Sequence, residues 1–131
     1  FDNFKPSVVM HLATYYSLEH HHTEINKMYN TNVLGIINLL EAGRKDVSLF
    51  INTSTCFVYK NMDKPLVESD QLDPLNLYAL TKKQSEDACS FYSSKYGLKT
   101  ITLRLFSPFG PGDNKRRLIW KKIFQKAYEI S

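Results

Sequence analysis

The sequence contains few glycines and only two cysteines, and it has no long hydrophobic run. None of its five glycines opens a helix as part of a glycine-rich, dinucleotide-binding turn after a strand. Cys56 and Cys89 do not form a disulfide framework, which favours a reducing cytoplasm. No apolar run approaches the ~18 residues of a membrane-spanning helix, and no secretory signal pattern is present. We therefore expect a cytoplasmic protein with no membrane partner.

Composition and charge instead indicate one folded domain. The chain has 131 residues, of which 43% are hydrophobic and 13% aromatic, enough for a core. Its net charge is +4, and six of the 17 basic residues follow position 114. Such a cluster suits nucleic acid or a nucleotide pyrophosphate. From Lys121 onward, the solvated face of an amphipathic helix is the preferred interpretation. Nucleic-acid binding is the weakest hypothesis, because no recognition motif accompanies these residues.

Strand and helix patterns alternate along the whole chain. Continuous apolar or β-branched runs predict strands at 8–13, 49–55 and 100–106. Amphipathic patterns predict helices at 25–42, 78–96 and from about 118 onward, the second ending at Gly97. This order predicts an α/β fold with a partial Rossmann-like parallel sheet of three strands and right-handed crossovers.

Two polar features interrupt this pattern. The adjacent residues His20, His21 and His22 do not easily converge on one ion, so they predict an exposed loop and no metal site. Asn32 lies among apolar residues of the first helix. A buried amide needs partners, so Asn32 either bonds to nearby backbone or has a functional role.

The sequence YALTK at 78–82 places a phenol and an ammonium on one helix face. A free tyrosine titrates near pH ~10, and a nearby lysine favours the phenolate and lowers that pKa. Tyr78 and Lys82 therefore form a candidate proton-transfer device, although an exposed pair is the common interpretation of this spacing. Thr55 ends the second predicted strand, and sites of parallel sheets form at that edge. We expect Thr55, Tyr78 and Lys82 to form a proton relay there.

With these residues in place, the chain resembles the extended short-chain dehydrogenase/reductase family, in particular its NAD-dependent epimerase/dehydratase branch that acts on nucleotide sugars. The matching residues, in family order, are 9–13, 32–35, 38–42, 53–55, 58–59, Pro65, Glu68, 78–82, Arg104 and 110–113. They cover nearly the whole chain.

The resemblance implies roles for individual residues. Tyr78 would be the acid/base, Lys82 would hold the nicotinamide ribose and lower the pKa of Tyr78, and Thr55 would bridge Tyr78 and a substrate oxygen. The resemblance also implies that seven residues bind the cofactor. They are Leu12, Ala13, Thr53, Tyr78, Lys82, Phe106 and Pro108. Asn32 would be the structural asparagine of the central helix.

The resemblance also implies a substrate and a reaction. Besides Thr55, Ser107 would contact the nucleotide-diphosphate sugar, at a position where the family often has Asn, and Arg117 or its neighbour Arg116 would face the pyrophosphate. Dehydratases of the family follow the Thr with Asp-Glu, whereas this chain has Cys56 and Phe57. A 4-epimerase or a 4-keto-sugar reductase, using NAD or NADP, is therefore favoured, and the two alternatives stay open.

The likeness is to the middle of an enzyme of about 300 residues. Residues 1–131 would be one partial NAD(P)-binding Rossmann-like domain without the N-terminal glycine-rich βαβ unit, and 114–131 would begin the substrate-binding part. The alternative is a non-catalytic fragment that only folds or associates. Since residues 8–13 would expose an apolar edge strand, we expect the chain alone to form a homo-oligomer and not to bind NAD measurably.

Overall fold

Three parallel strands form the sheet of the protein, whose computed structural model describes residues 4–111. Strand β1 is Val8–His11, β2 is Leu49–Thr55 and β3 is Thr100–Leu105, in the order β1-β2-β3. Val8 pairs with Leu49 and His11 with Asn52. The predicted three-stranded parallel α/β sheet is thereby confirmed.

The connections between the strands are helical. The first contains α1 (Ile25–Tyr29), a π-helical segment (Asn30–Leu34) and α2 (Gly35–Gly43), and the second contains α3 (Leu77–Tyr96). Asn76 caps α3, because its Oδ1 accepts a hydrogen bond from Ala79 N at 2.9 Å. Gly97 ends α3 in the left-handed region, with φ +72°, as a glycine readily does.

Two of the three predicted strands end earlier than expected. β1 ends at His11, so Leu12 and Ala13 lie in the following loop, and β3 ends at Leu105, before Phe106. Apolarity continues past both strand ends while the backbone pairing stops. The helix predicted from about 118 and the predicted part 114–131 lie outside the described residues.

The helices pack on one face of the sheet. Helices α2 and α3 enclose an apolar cluster with the sheet, consisting of Ile36, Leu40, Val47, Phe50, Cys89, Tyr92 and Leu98. Alternate residues of the edge strands remain exposed, including Val8, Met10, Ile101 and Leu103. The other sheet face is therefore open within residues 4–111. In that same part of the chain, no helix has the length and apolarity needed to cross a bilayer.

Candidate active site

A cleft of about 190 Å³ lies at the carboxyl ends of β2 and β3. The residues around it come from the β1–α1 loop, the end of β2, the start of α3 and the segment after β3. They are Tyr16, Ser54, Thr55, Cys56, Phe57, Tyr78, Leu105, Ser107 and Pro108. Hydroxyl groups and a thiol therefore surround a space sized for part of a small ligand.

Thr55 and Tyr78 meet at this cleft, as the sequence predicts. Thr55 ends β2, and its Oγ1 accepts a hydrogen bond from Phe57 N at 3.3 Å, which starts a short 3₁₀ turn. Tyr78 is the second residue of α3 and is mostly buried. The ring of Tyr16 contacts it edge-on, with centroids 4.9 Å apart. Tyr16 was not predicted, since nothing in its local sequence distinguishes it from neighbouring tyrosines.

Asn32 fixes the position of the first turn of α3. Its Oδ1 accepts hydrogen bonds from Thr14 Oγ1 (3.1 Å) and Tyr15 N (2.7 Å), and its Nδ2 donates to Tyr15 O and Thr81 Oγ1, both at 3.0 Å. Thr81 Oγ1 in turn donates to Tyr78 O at 2.7 Å. The buried amide bonds to nearby backbone, one of the two alternatives from sequence, and it connects the loop after β1 to the turn that carries Tyr78.

Lys82 lies one turn after Tyr78 and is 1% exposed. Its Nζ has no hydrogen-bond partner among residues 4–111, and the side chain does not line the cleft. Burial lowers the pKa of Lys82 to about 8, although the negative charge of Glu86 partly opposes this shift. Lys82 is therefore a desolvated ammonium beneath the cleft.

The predicted lowering of the Tyr78 pKa by Lys82 is wrong for this structure. Burial raises the pKa of Tyr78, and nearby Tyr16 and Cys56 raise it further, while a hydrogen bond with Thr14 opposes them. The free-energy cost of removing the phenolate from water is larger than the stabilisation that the neighbouring groups provide. Tyr78 is consequently a protonated phenol at neutral pH in the structure.

An ion pair that the sequence analysis missed supports the same strand end. Arg104 Nη2 donates to Glu86 Oε2 at 2.7 Å and Arg104 Nε to Glu86 Oε1 at 3.1 Å, while Ser54 Oγ donates to Glu86 Oε1 at 2.5 Å. Arg104 Nη1 also donates to Tyr59 OH at 2.8 Å and to Glu68 O at 3.1 Å. The pair therefore joins β2, β3, α3 and the loop before α3. No local sequence signal points to this pair, because Arg104 and Glu86 are 18 residues apart and lie on different elements.

The structure brings Ser107 and Pro108 to the cleft beside Thr55 and Tyr78. Ser107 adopts φ +39°, a left-handed backbone conformation that is uncommon for serine. Such outliers concentrate at functional sites. Arg117, the remaining predicted substrate residue, lies outside the described residues.

Besides Lys82, four predicted cofactor-binding residues do not line this cleft. Leu12 is 62% exposed in the loop after β1, next to the exposed Ala13. Thr53 is buried, and its Oγ1 donates to His11 O at 2.9 Å, which joins β2 to β1. Phe106 borders a larger cavity of about 550 Å³ with Tyr59 and Arg104. All four lie near the carboxyl edge of the sheet, but none of them lines the cleft that contains Tyr78.

The sequence matches the family described as "NAD dependent epimerase/dehydratase family" over residues 1–129. Two curated relatives are Protein CapI of Staphylococcus aureus and UDP-glucuronate 4-epimerase 1 of Arabidopsis thaliana. The first is 38% identical over 130 residues, covering 94% of this chain and 37% of the relative. The second is 34% identical over 107 residues, covering 79% of this chain and 25% of the relative.

Among solved structures, a UDP-glucuronic acid 4-epimerase from Bacillus cereus, in complex with UDP-glucuronic acid and NAD, is similar in fold. Its TM-score is 0.79 at 26% identity, over 94% of this chain and 40% of that chain. The present chain therefore spans about two fifths or less of the length of these relatives.

Proposed function

Since the chain belongs to the NAD dependent epimerase/dehydratase family, we propose that it carries the catalytic half-site of an enzyme that acts at a sugar carbon of a nucleotide-diphosphate sugar. The observation that carries this proposal is the shared cleft of Thr55 and Tyr78, with Lys82 one turn below. A hydroxyl, a phenol and an ammonium at one sheet edge can hold and move a proton.

Tyr78 is the proposed acid/base. It removes the proton from the sugar hydroxyl during oxidation and returns a proton during reduction. Thr55 orients the same sugar oxygen by a hydrogen bond, because both hydroxyls border one cleft. Burial raises the pKa of Tyr78 and keeps the phenol protonated at neutral pH, so the proton needed for reduction is in place, whereas action as a base requires a stabilised phenolate. Lys82, one turn after Tyr78 on α3, contributes by holding the cofactor beside it.

The residues present fit a nicotinamide cofactor. Lys82 Nζ is a buried donor without a partner among the described residues, and ribose hydroxyls are suitable acceptors. When bound, NAD would accept the hydride from the sugar carbon and return it. Leu12, Ala13, Thr53, Phe106 and Pro108 remain proposed cofactor neighbours. NAD is preferred over NADP because the Bacillus cereus structure contains NAD.

Ser107 is the proposed substrate contact, because it lines the same cleft as Thr55 and Tyr78. Arg117 is proposed to face the pyrophosphate. Cys56 occupies the cleft at the place where the family's dehydratases carry an acid, and a thiol there does not supply the acid of an elimination. This favours epimerisation or ketone reduction over dehydration.

Among these reactions, 4-epimerisation of a UDP-sugar is the proposed activity, because the Arabidopsis and Bacillus relatives are named as UDP-glucuronate 4-epimerases. Reduction of a 4-keto sugar is the alternative. An epimerase returns its hydride to the same sugar, so it consumes no reduced cofactor overall, whereas a reductase oxidises one NADH for each product. Measuring both the sugar product and the NADH consumed distinguishes the two reactions.

The test uses the full-length protein that contains this chain, with UDP-glucose or UDP-glucuronic acid and NAD. We expect appearance of the 4-epimer, and a loss of about 10²–10⁴-fold in kcat for Tyr78→Phe, the range typical of an acid/base residue. Tyr96→Phe, at the exposed end of the same helix, is the matched control and should retain the rate. Full activity of Tyr78→Phe would refute the proposed acid/base.

A further inference from the structure

Three buried polar atoms without hydrogen-bond partners lie beneath the active site. Within residues 4–111, four buried side-chain atoms lack a partner: His11 Nδ1, Asn52 Oδ1, Lys82 Nζ and Gln84 Oε1. Gln84 borders a separate groove between the helices. The other three come from β1, β2 and α3, and each residue is 5% exposed or less.

Strand pairing and two hydrogen bonds bring these three residues together. His11 is the register partner of Asn52 in the parallel pair β1–β2. Asn52 Nδ2 donates to Ser85 Oγ at 3.2 Å, and Ser85 Oγ donates to Lys82 O at 2.6 Å. The amide of Asn52 therefore lies against the turn of α3 that carries Lys82. The positive charge of Lys82 also lowers the pKa of His11, as expected for close neighbours.

The three atoms are chemically complementary. Lys82 Nζ is a donor with three protons, whereas Asn52 Oδ1 and the Nδ1 of a neutral histidine are acceptors. A buried ammonium without partners is costly. A buried water typically makes about three hydrogen bonds to such groups, and one water can accept from Lys82 while donating to His11 and Asn52.

We propose that His11, Asn52 and Lys82 form a buried water-binding site that holds the Lys82 ammonium from the sheet side. His11 and Asn52 are then positioning residues for Lys82. The consequence for catalysis rests on the proposed function, in which the fixed Lys82 ammonium holds the nicotinamide ribose beside Tyr78.

The charged and titratable groups around Lys82 are consistent with this site. Burial and Lys82 lower the pKa of His11, and interaction with the Asn52 side chain only partly opposes this shift, so the imidazole is neutral and can accept at neutral pH. From α3, burial raises the pKa of Cys89 to about 12, so the thiol is uncharged. Of the two carboxylates on the same helix, Glu86 is bound by Arg104 and Ser54, and Asp87 pairs with Lys83 at the surface. Protonation of His11 would place a second cation beside Lys82 and remove an acceptor.

The first test is a high-resolution crystal structure of the full-length protein. We expect an ordered water within about 3.2 Å of His11 Nδ1, Asn52 Oδ1 and Lys82 Nζ. A direct contact between Lys82 Nζ and both acceptors, with no water, would overturn the proposal. So would a dry site in which the three atoms point apart.

The second test measures the pKa of Lys82 by NMR of its side-chain Cε and Nζ, which requires no enzymatic activity. His11→Phe removes one acceptor and should lower this pKa by about one unit, a tenfold change in protonation. Asn52→Asp supplies a charged acceptor and should raise it, so a misfolded His11→Phe protein does not end the test. Asn38→Asp, exposed on α2, is the control.

An unchanged Lys82 pKa in folded His11→Phe or Asn52→Asp would refute the site. Because both measurements are independent of substrate, a protein without epimerase or reductase activity would refute the proposed function while the water and the Lys82 pKa still decide this inference.

Discussion

The two ends of helix α3 bury very different side chains against the same sheet. The end nearest Gly97 buries Cys89 and Tyr92 in the apolar cluster around Phe50. The end nearest the cleft buries polar residues from α3 and its neighbours, which are Asn32, Asn52, Thr81, Lys82, Ser85 and Glu86. One helix therefore contributes to an apolar core and to a polar site.

The two ends of α3 therefore differ in what they contribute: the apolar end stabilises the fold, and the polar end forms the candidate site. Burial of apolar surface stabilises by about 25 cal/mol per Å², so the apolar cluster is the source of stability. Hydrogen bonds in the polar end largely replace bonds to water, with a small net gain each. Buried Lys82 even costs stability, since its pKa falls to about 8. The polar end thus adds little to stability, and the buried Lys82 reduces it.

The largest effect expected from this contrast is at Phe50, which is fully buried in the apolar cluster. Phe50→Ala should lower the free energy of unfolding by about 3–5 kcal/mol, through lost burial and the cavity left behind. Urea denaturation of the full-length protein measures this. Phe91→Ala, at an exposed site on α3, is the control and should change stability by less than about 1 kcal/mol. Equal losses of stability for both substitutions would contradict the statement that the apolar cluster is the source of stability.

The next effect concerns the charge of Lys82. Its folded pKa of about 8 lies below the ordinary lysine value of 10.5, so below pH 8 the folded state bears the full cost of a buried ammonium. As pH rises from about 8 to about 10.5, the folded state loses its proton first and stability increases. Lys82→Met should therefore be more stable than wild type at pH 7 by on the order of 3 kcal/mol, and this advantage should vanish near pH 10.5.

Measurements of unfolding free energy for both proteins between pH 7 and about pH 10.5 test the Lys82 prediction. The matched control is Lys83→Met, because Lys83 forms a surface pair with Asp87 at 2.7 Å. Such pairs contribute about 0–1 kcal/mol, so this variant should show little pH dependence there. A wild type that is more stable than Lys82→Met at pH 7 would mean that the ammonium is well compensated where it lies.

The same contrast explains which parts of the structure could be predicted from sequence. Strand β2 and helix α3 were predicted almost to the residue, because apolar runs, Gly97 and helical periodicity are local signals. The meeting of Thr55 and Tyr78 was predictable from the rule that parallel strands end at one edge. The early end of β1 was not, because backbone pairing depends on the neighbouring strand and not on the apolarity of Leu12.

The polar end of α3 was predicted only in part, for a physical reason. Its partners are distant in sequence, as in the pairs Arg104–Glu86 and Asn52–Ser85, and no periodic pattern encodes them. The direction of the Tyr78 pKa shift was wrong for the same reason. Spacing shows that a lysine is near, whereas desolvation depends on the whole surrounding structure.

The smallest effect we predict is at Thr81, which connects Asn32 to the first turn of α3, where Tyr78 lies. Its hydroxyl accepts from Asn32 Nδ2 at 3.0 Å and donates to Tyr78 O at 2.7 Å. Thr81→Val keeps the shape but removes both bonds, so it should cost about 1–3 kcal/mol of stability. Under the proposed function it should also reduce kcat more than it raises KM, because the turn that carries Tyr78 loses its connection to Asn32.

Unfolding free energies and steady-state kinetics of the full-length Thr81→Val protein test this, with Thr31→Val in the π-helical segment as the control. A purely structural role would lower stability and leave kcat per folded molecule unchanged. Loss of kcat in the folded variant would instead show that hydrogen bonds of the polar end position Tyr78. A loss of stability as large as that of Phe50→Ala would contradict the contrast between the apolar and polar ends of α3. One hydroxyl would then contribute as much stability as an aromatic ring of the apolar cluster.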